Sequence, residues 1–123
     1  MLNSETVVVL GASPNSQRYS HRAVLELTDR GHHVIPIHAA ADEVAGIPVV
    51  RELSLVETPV DTVTIYVRPS ILRTMLEALV DLAPGRVIFN PGTEDQQLMQ
   101  RLSTSGIQVV EACTLVLLNT GQF

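Results

Sequence analysis

Lysine is absent from this chain: its eight basic residues are all arginine, set against thirteen acidic ones for a formal charge of −5. That excludes a Schiff-base or phosphate-loop lysine, so a bound anion must rest on arginine, backbone amides or a helix dipole. The acidic balance also argues against a general nucleic-acid grip, which needs many cationic phosphate contacts. A single cysteine, Cys113, rules out an internal disulfide framework and a thiolate-rich zinc site. Aromatic residues make up only 3% of the chain, so a core drawn from the 46% hydrophobic residues must be aliphatic. Such a composition suits a Val/Ile/Leu parallel sheet better than an aromatic-rich sandwich. The apolar runs are far too short to span a bilayer, and no charged start with an apolar core suggests a signal peptide. A cytoplasmic protein without membrane or nucleic-acid partners is expected.

Several chemical motifs are missing as well. The dinucleotide fingerprint Gly-x-Gly-x-x-Gly is absent, because only Gly11 follows the first strand. No Gly-x-Ser-x-Gly elbow makes Ser13 a nucleophile. The end of the second strand lacks the acidic residue that would grip a ribose 2′-OH; Asp42 and Glu43 come too late for that role. This counts against NAD and fits a nucleotide whose ribose carries a phosphate, to which His38 can donate. His21, His32 and His33 complete no metal set, and His32 reads as a charge at a helix C-terminus. No metal is expected.

What is present begins with Val7-Val8-Val9-Leu10, a strand buried on both faces, running into Gly11-Ala12-Ser13-Pro14-Asn15-Ser16. A strand that ends in small residues and feeds a helix offers backbone N–H groups and a helix N-terminus to an anion. The 123 residues fit one domain, residues 1–123. Helical spacing runs from Ser20 to Arg30, with Gly31 as the left-handed stop. Val34 to Ile37 is the second strand, His38 to Gly46 a loop, and Ile47 to Val50 a minor extended piece. Val63 to Val67 is the third main strand, with Pro69 in the first turn of a helix that Pro84-Gly85 ends. Arg86 to Phe89 is the fourth strand. Thr93 and Gln96 read as a capping box for a helix that Gly106 ends, and Ile107 to Val110 is the fifth strand.

Helix, glycine and strand recur at Gly31, Gly85 and Gly106. The expectation is an α/β fold: a doubly wound, mainly parallel five-stranded sheet, order 3-2-1-4-5, with helices on both faces. In such sheets ligands sit outside the C-terminal strand ends, at the switch point beside strand one. Gly11, Ala12 and Ser13, His38, Arg68-Pro69 and Asn90-Pro91-Gly92 should therefore share one edge. Ser20 and Arg18 are candidate phosphate ligands, the arginine through a bidentate contact. Cys113 reads as a buried small hydrophobe, since Glu111 beside it opposes a thiolate.

Val-Val-Val-Leu-Gly-Ala-Ser at 7–13, Arg18-Tyr19-Ser20, Gly46-Ile47-Pro48-Val49, Val60-Asp61-Thr62-Val63 and Cys113 together resemble the small stand-alone CoA-binding domain family. That family is Rossmann-like and related to the N-terminal domain of the succinyl-CoA synthetase α subunit. The resemblance implies that Gly11, Ala12, Ser13 and the following loop, with Asn15, Arg18, Tyr19 and Ser20, hold the CoA pyrophosphate. It implies that residues after strand two, at His38, meet the adenosine 3′-phosphate end. Tyr66 to Pro69, including Val67 and Arg68, would wall the adenine. Asn90, Pro91 and Gly92 would approach the pantetheine arm. Many members carry Asn-Pro where this chain has His38-Ala39, and Trp and Gln in the turn where it has Phe89-Asn90-Pro91-Gly92. A CoA- or acyl-CoA-binding protein without a catalytic centre of its own is the expected function. The alternatives are an NAD(P)-binding oxidoreductase module and a regulatory subunit of an acyl-CoA-using enzyme. Exposed apolar residues at Leu115 to Leu118 would support protein docking, and a homo-oligomer stays open.

Overall fold

The first strand, β1 (Thr6–Leu10), is central because every side chain from Val7 to Leu10 is fully buried. A computed structural model describes residues 4–123. Val7 and Val9 pack against α1 (Tyr19–Asp29) through Val24 and Leu27. Val8 and Leu10 face the opposite layer, with Leu72 and Leu79 of α2 (Pro69–Leu82) and Leu98 and Leu102 of α3 (Gln96–Thr104). Alternation along one strand thus feeds two aliphatic cores, one on each face of the sheet.

Four strands join β1: β2 (His33–Ile37), β5 (Thr62–Ile65), β6 (Arg86–Phe89) and β7 (Gln108–Glu111). All pairings in this sheet are parallel, and the order is β2-β1-β5-β6-β7. The doubly wound α/β fold is therefore as expected, with one change of count. Val50 bridges Ile37 in parallel beyond β2, so the minor extended piece takes the third place in the 3-2-1 run. Thr62–Ile65, counted third from the sequence, stands next to β1 on the other side. It ends two residues earlier than expected, which frees Tyr66 and Val67 for the edge. Between β2 and β5 a small antiparallel pair, β3 (Glu43–Val44) and β4 (Ile47–Pro48), folds back under the sheet edge.

One helix start differs from the sequence reading. The Thr93 hydroxyl donates to Asn90 O at 2.7 Å, so it is lost to the capping box. Asp95 caps α3 instead, accepting from Leu98 N at 3.0 Å. That backbone bond, helped by Arg73 at 2.9 Å, lowers the Asp95 carboxyl below the usual carboxylate range. At the far end of α2 the helix stops at Leu82, just before Pro84-Gly85 as expected, with Ala83 in the left-handed position at φ 51°.

The C-terminal segment is the larger correction. Thr114–Asn119 forms a helix, α4, whose Leu115 and Leu118 are buried. Only Val116 of that apolar run is an exposed large hydrophobe, so the segment is part of the core rather than a docking strip. His32 is also committed: its Nδ1 accepts from Glu5 N at 3.0 Å, and its ring lies against Phe123. It ties two chain segments together and does not serve as a helix C-terminal cation. Cys113, at the N-cap of α4, is half-buried. No helix among the described residues is long and apolar enough to cross a membrane.

Candidate functional site

The C-terminal ends of β1, β2 and β5 open into a cleft of about 820 Å³. A cleft of that size falls in the range of small-molecule and cofactor sites. It lies at the switch point, because β1 sends its following helix toward β2 on one side and β5 sends its own toward β6 on the other. Gly11, Ala12 and Ser13 line it after β1, Tyr66 and Val67 beside them after β5, and Met75 from α2. Gln17, Arg18, Tyr19 and Ser20 close the α1 end, while Ile37, His38, Ala39 and Arg51 close the β2 end. Not one of the thirteen carboxylates of this acidic chain lines the cleft, whereas two arginines and a histidine do.

The loop after β1 is stiffened by its own polar groups. Asn15 N donates to Ser13 Oγ at 3.1 Å, and Gln17 N to Asn15 Oδ1 at 2.9 Å. Buried His21 holds the loop from below: its Nδ1–H donates to the Ser13 carbonyl at 2.9 Å. These bonds define a rigid turn before α1. Arg18 is the N-cap of α1, and its side chain supplies no capping oxygen. The helix therefore presents its N-terminal amide groups without a protein side chain to satisfy them. Five arginines pair with carboxylates; among the described residues Arg18, Arg22 and Arg68 do not, and of these three only Arg18 lines the cleft.

At the other end, backbone pairing brings distant residues together. Val50 N donates to Pro36 O at 2.9 Å and His38 N to Val50 O at 3.2 Å, which sets Arg51 beside His38. His38 Nδ1 accepts from Ala40 N at 3.0 Å and Ala41 N at 2.8 Å. The neutral ring then carries its proton on Nε2, the nitrogen left over for a partner.

The sequence-derived candidates divide in two. Gly11, Ala12, Ser13, Arg18, Tyr19, Ser20, His38 and Val67 all line the cleft. Asn15, Arg68, Pro69, Asn90, Pro91 and Gly92 do not line it. Asn15 shapes the loop, and Arg68 and Pro69 open α2. Asn90 is buried and fully engaged: its amide donates to Thr64 Oγ1 at 2.7 Å and Ile65 O at 2.8 Å and accepts from Thr114 N at 2.8 Å. Pro91 and Gly92 lie exposed above it. Arg51, Tyr66 and Met75 went unrecognised as site residues, although Tyr66 fell in the segment assigned to the adenine wall.

Tyr66 is the odd group of the site. Its hydroxyl is buried and makes no well-formed hydrogen bond, although the Thr64 and Thr114 hydroxyls lie near it. Burial pushes it up to about 12, an effect the neighbouring Thr64 hydroxyl only partly offsets. Tyr66→Phe removes an orphaned polar atom and is expected to stabilise the fold by about 1 kcal/mol in urea unfolding. The same shift fixes an alkaline limit. The unfolded chain loses this proton near pH 10, earlier than the folded one, so stability falls as pH rises from 10 to about 12. The fall should be absent in Tyr66→Phe relative to wild type, and equal losses in both proteins would refute the assignment.

Among the described residues, no group of three or more His, Cys, Asp or Glu side chains is placed to hold a metal ion. A sequence profile of the CoA binding domain matches residues 5–119. The crystal structure of an uncharacterized protein superposes with a TM-score of 0.92 at 40% identity, covering 98% of this chain and 99% of that one. YneT of Bacillus subtilis strain 168, itself uncharacterized, is 25% identical over 107 residues, 87% of this chain and 79% of its own. A dinucleotide-forming acetyl-coenzyme A synthetase from Ca. Korarchaeum cryptofilum shares the fold. Its TM-score is 0.77 at 22% identity, with 89% of this chain matching 26% of that one.

Proposed function

Since the chain belongs to the CoA binding domain family, we propose that the cleft beside β1 holds coenzyme A, free or acylated, through its phosphates. The observation that carries this reading is electrostatic. In a chain of charge −5, the cleft at the switch point is lined by no carboxylate and carries Arg18, Arg51 and His38. Of these, Arg51 alone is held by a carboxylate, that of Asp42 outside the lining. The α1 N-terminus beside the rigid 11–17 loop suits a pyrophosphate, with Arg18 as its fixed charge. The β2 end offers donors where NAD-binding folds place an acid, which suits a phosphorylated ribose. Tyr66, Val67 and Met75 give the apolar wall for a base. CoA supplies the thiol that carries acyl groups; the residues of the cleft bind and orient the nucleotide that bears it.

Thermal unfolding with added nucleotides tests the reading. CoA at ~100 times its dissociation constant should stabilise the protein by about 2.7 kcal/mol. NAD at the same concentration should give a smaller shift. An equal or larger shift with NAD would sink the CoA assignment.

A further inference from the structure

Arg51 reaches the cleft from the segment after β4, yet it is already engaged. Its guanidinium donates to the Asp42 carboxylate at 3.0 Å and to the Ala41 carbonyl. The Asp42 side chain is 95% exposed, so its hold on Arg51 is a weak, solvent-screened one. Ala41 N in turn donates to His38 Nδ1 at 2.8 Å, so the turn that carries Asp42 is tied to the His38 ring, and His38 and Arg51 both line the cleft. An exposed carboxylate pinned on a cleft-lining arginine is a resident anion that a better anion can replace. A ribose phosphate carries more charge and more acceptor oxygens than a carboxylate, and Arg presents a planar fork that fits it.

Resting on the nucleotide reading above, we propose that Arg51 is the specificity-determining residue for a ribose phosphate and that Asp42 is its exchangeable counter-ion. On binding, the guanidinium leaves Asp42 for the phosphate, and His38 donates from Nε2 to the same group. The shared chemistry is a phosphomonoester on an adenosine ribose, at the 3′ position in CoA or at the 2′ position in NADP. Selectivity then comes from Arg51, and the set-point of affinity from Asp42.

The test is calorimetric titration of wild type, Arg51→Gln, Asp42→Asn and the double variant with CoA, dephospho-CoA, NADP and NAD. Arg51→Gln should weaken CoA about 10- to 100-fold, as expected for a lost hydrogen bond to a charged group, while leaving dephospho-CoA within about twofold. Asp42→Asn should tighten CoA by about two- to fivefold, the scale of an exposed ion pair, and leave dephospho-CoA unchanged. In the Arg51→Gln background the Asp42 effect should vanish, because the two residues act on one contact. Equal losses for CoA and dephospho-CoA in Arg51→Gln would overturn the inference while leaving CoA binding in place. Arg51-dependent binding of NADP but not of CoA would uphold the clamp and remove the CoA reading. A double variant that still responds to Asp42→Asn would show that Asp42 acts on the loop and not through Arg51.

Discussion

Gly11→Val is expected to abolish nucleotide binding, weakening CoA by more than about 100-fold, the scale of about 3 kcal/mol. The variant should also unfold more easily. Gly11 sits at φ +89°, a conformation L side chains rarely adopt. A Cβ there would also lie 2.7 Å from Val67 Cγ1, 3.2 Å from the Tyr66 carbonyl carbon and 3.3 Å from Val67 N. Two of those three atoms are backbone, held because Tyr66 N donates to Leu10 O at 2.9 Å across the β1–β5 pair. The obstruction therefore comes from the chain just past β5, and a side chain would push the β1 and β5 ends apart. Even Gly11→Ala should cost about 1–3 kcal/mol of stability in urea unfolding, from backbone strain plus the collision. Adding Val67→Ala should restore part of that loss by removing the 2.7 Å contact, but the φ cost stays. A Gly11→Val protein with wild-type melting and wild-type CoA affinity would show that neither the tight approach nor the turn matters.

The close approach at Gly11 explains why the phosphate loop was legible in the sequence. A β-branched run ending in a lone glycine already carries both the strand and the tight turn. The α/β alternation was equally readable, because Gly31 and Gly106 close their helices with positive φ and each helix shows an apolar stripe. What escaped was set by tertiary contact. Arg51 joins His38 only because Val50 bridges Ile37, thirteen residues earlier in the chain, and nothing local in Val-Val-Arg-Glu announces that pairing. The six-residue α4 is too short to show a period, so Thr114 to Asn119 read as a tail although its leucines are buried. Thr93 matched a capping box by spacing, but its hydroxyl found the Asn90 carbonyl first. Local pattern located the elements, and competition among polar groups decided the ends.

That competition centres on Asn90, where the largest loss of stability is expected. The side chain is 3% exposed and spends its amide on two elements: Thr64 and Ile65 of β5, and the first residue of α4. Asn90→Ala would strand the Ile65 carbonyl and the Thr114 amide in a dry place, at about 1–3 kcal/mol for each unsatisfied group. A total near 3–4 kcal/mol follows, a large share of the 5–15 kcal/mol of a typical domain. Asn90→Asp should be worse at neutral pH, since an oxygen would replace the NH2 that faces the Ile65 carbonyl. The buried carboxylate has no cation to pair with, so its pKa in the folded state should rise above the unfolded value. The variant would then keep most of its stability below about pH 4 and lose it as pH rises through the folded pKa. Urea unfolding of wild type and both variants at pH 4 and pH 8 measures this directly. Asn90→Ala within about 1 kcal/mol of wild type would mean that water replaces the amide at no great cost. Binding separates the structural role from the one suggested by the turn's place after β6. Asn90→Ala, kept folded at low temperature, should retain CoA affinity within about twofold, because Asn90 does not line the cleft. A stable Asn90→Ala protein that binds CoA tenfold or more weakly would place this amide on the ligand after all.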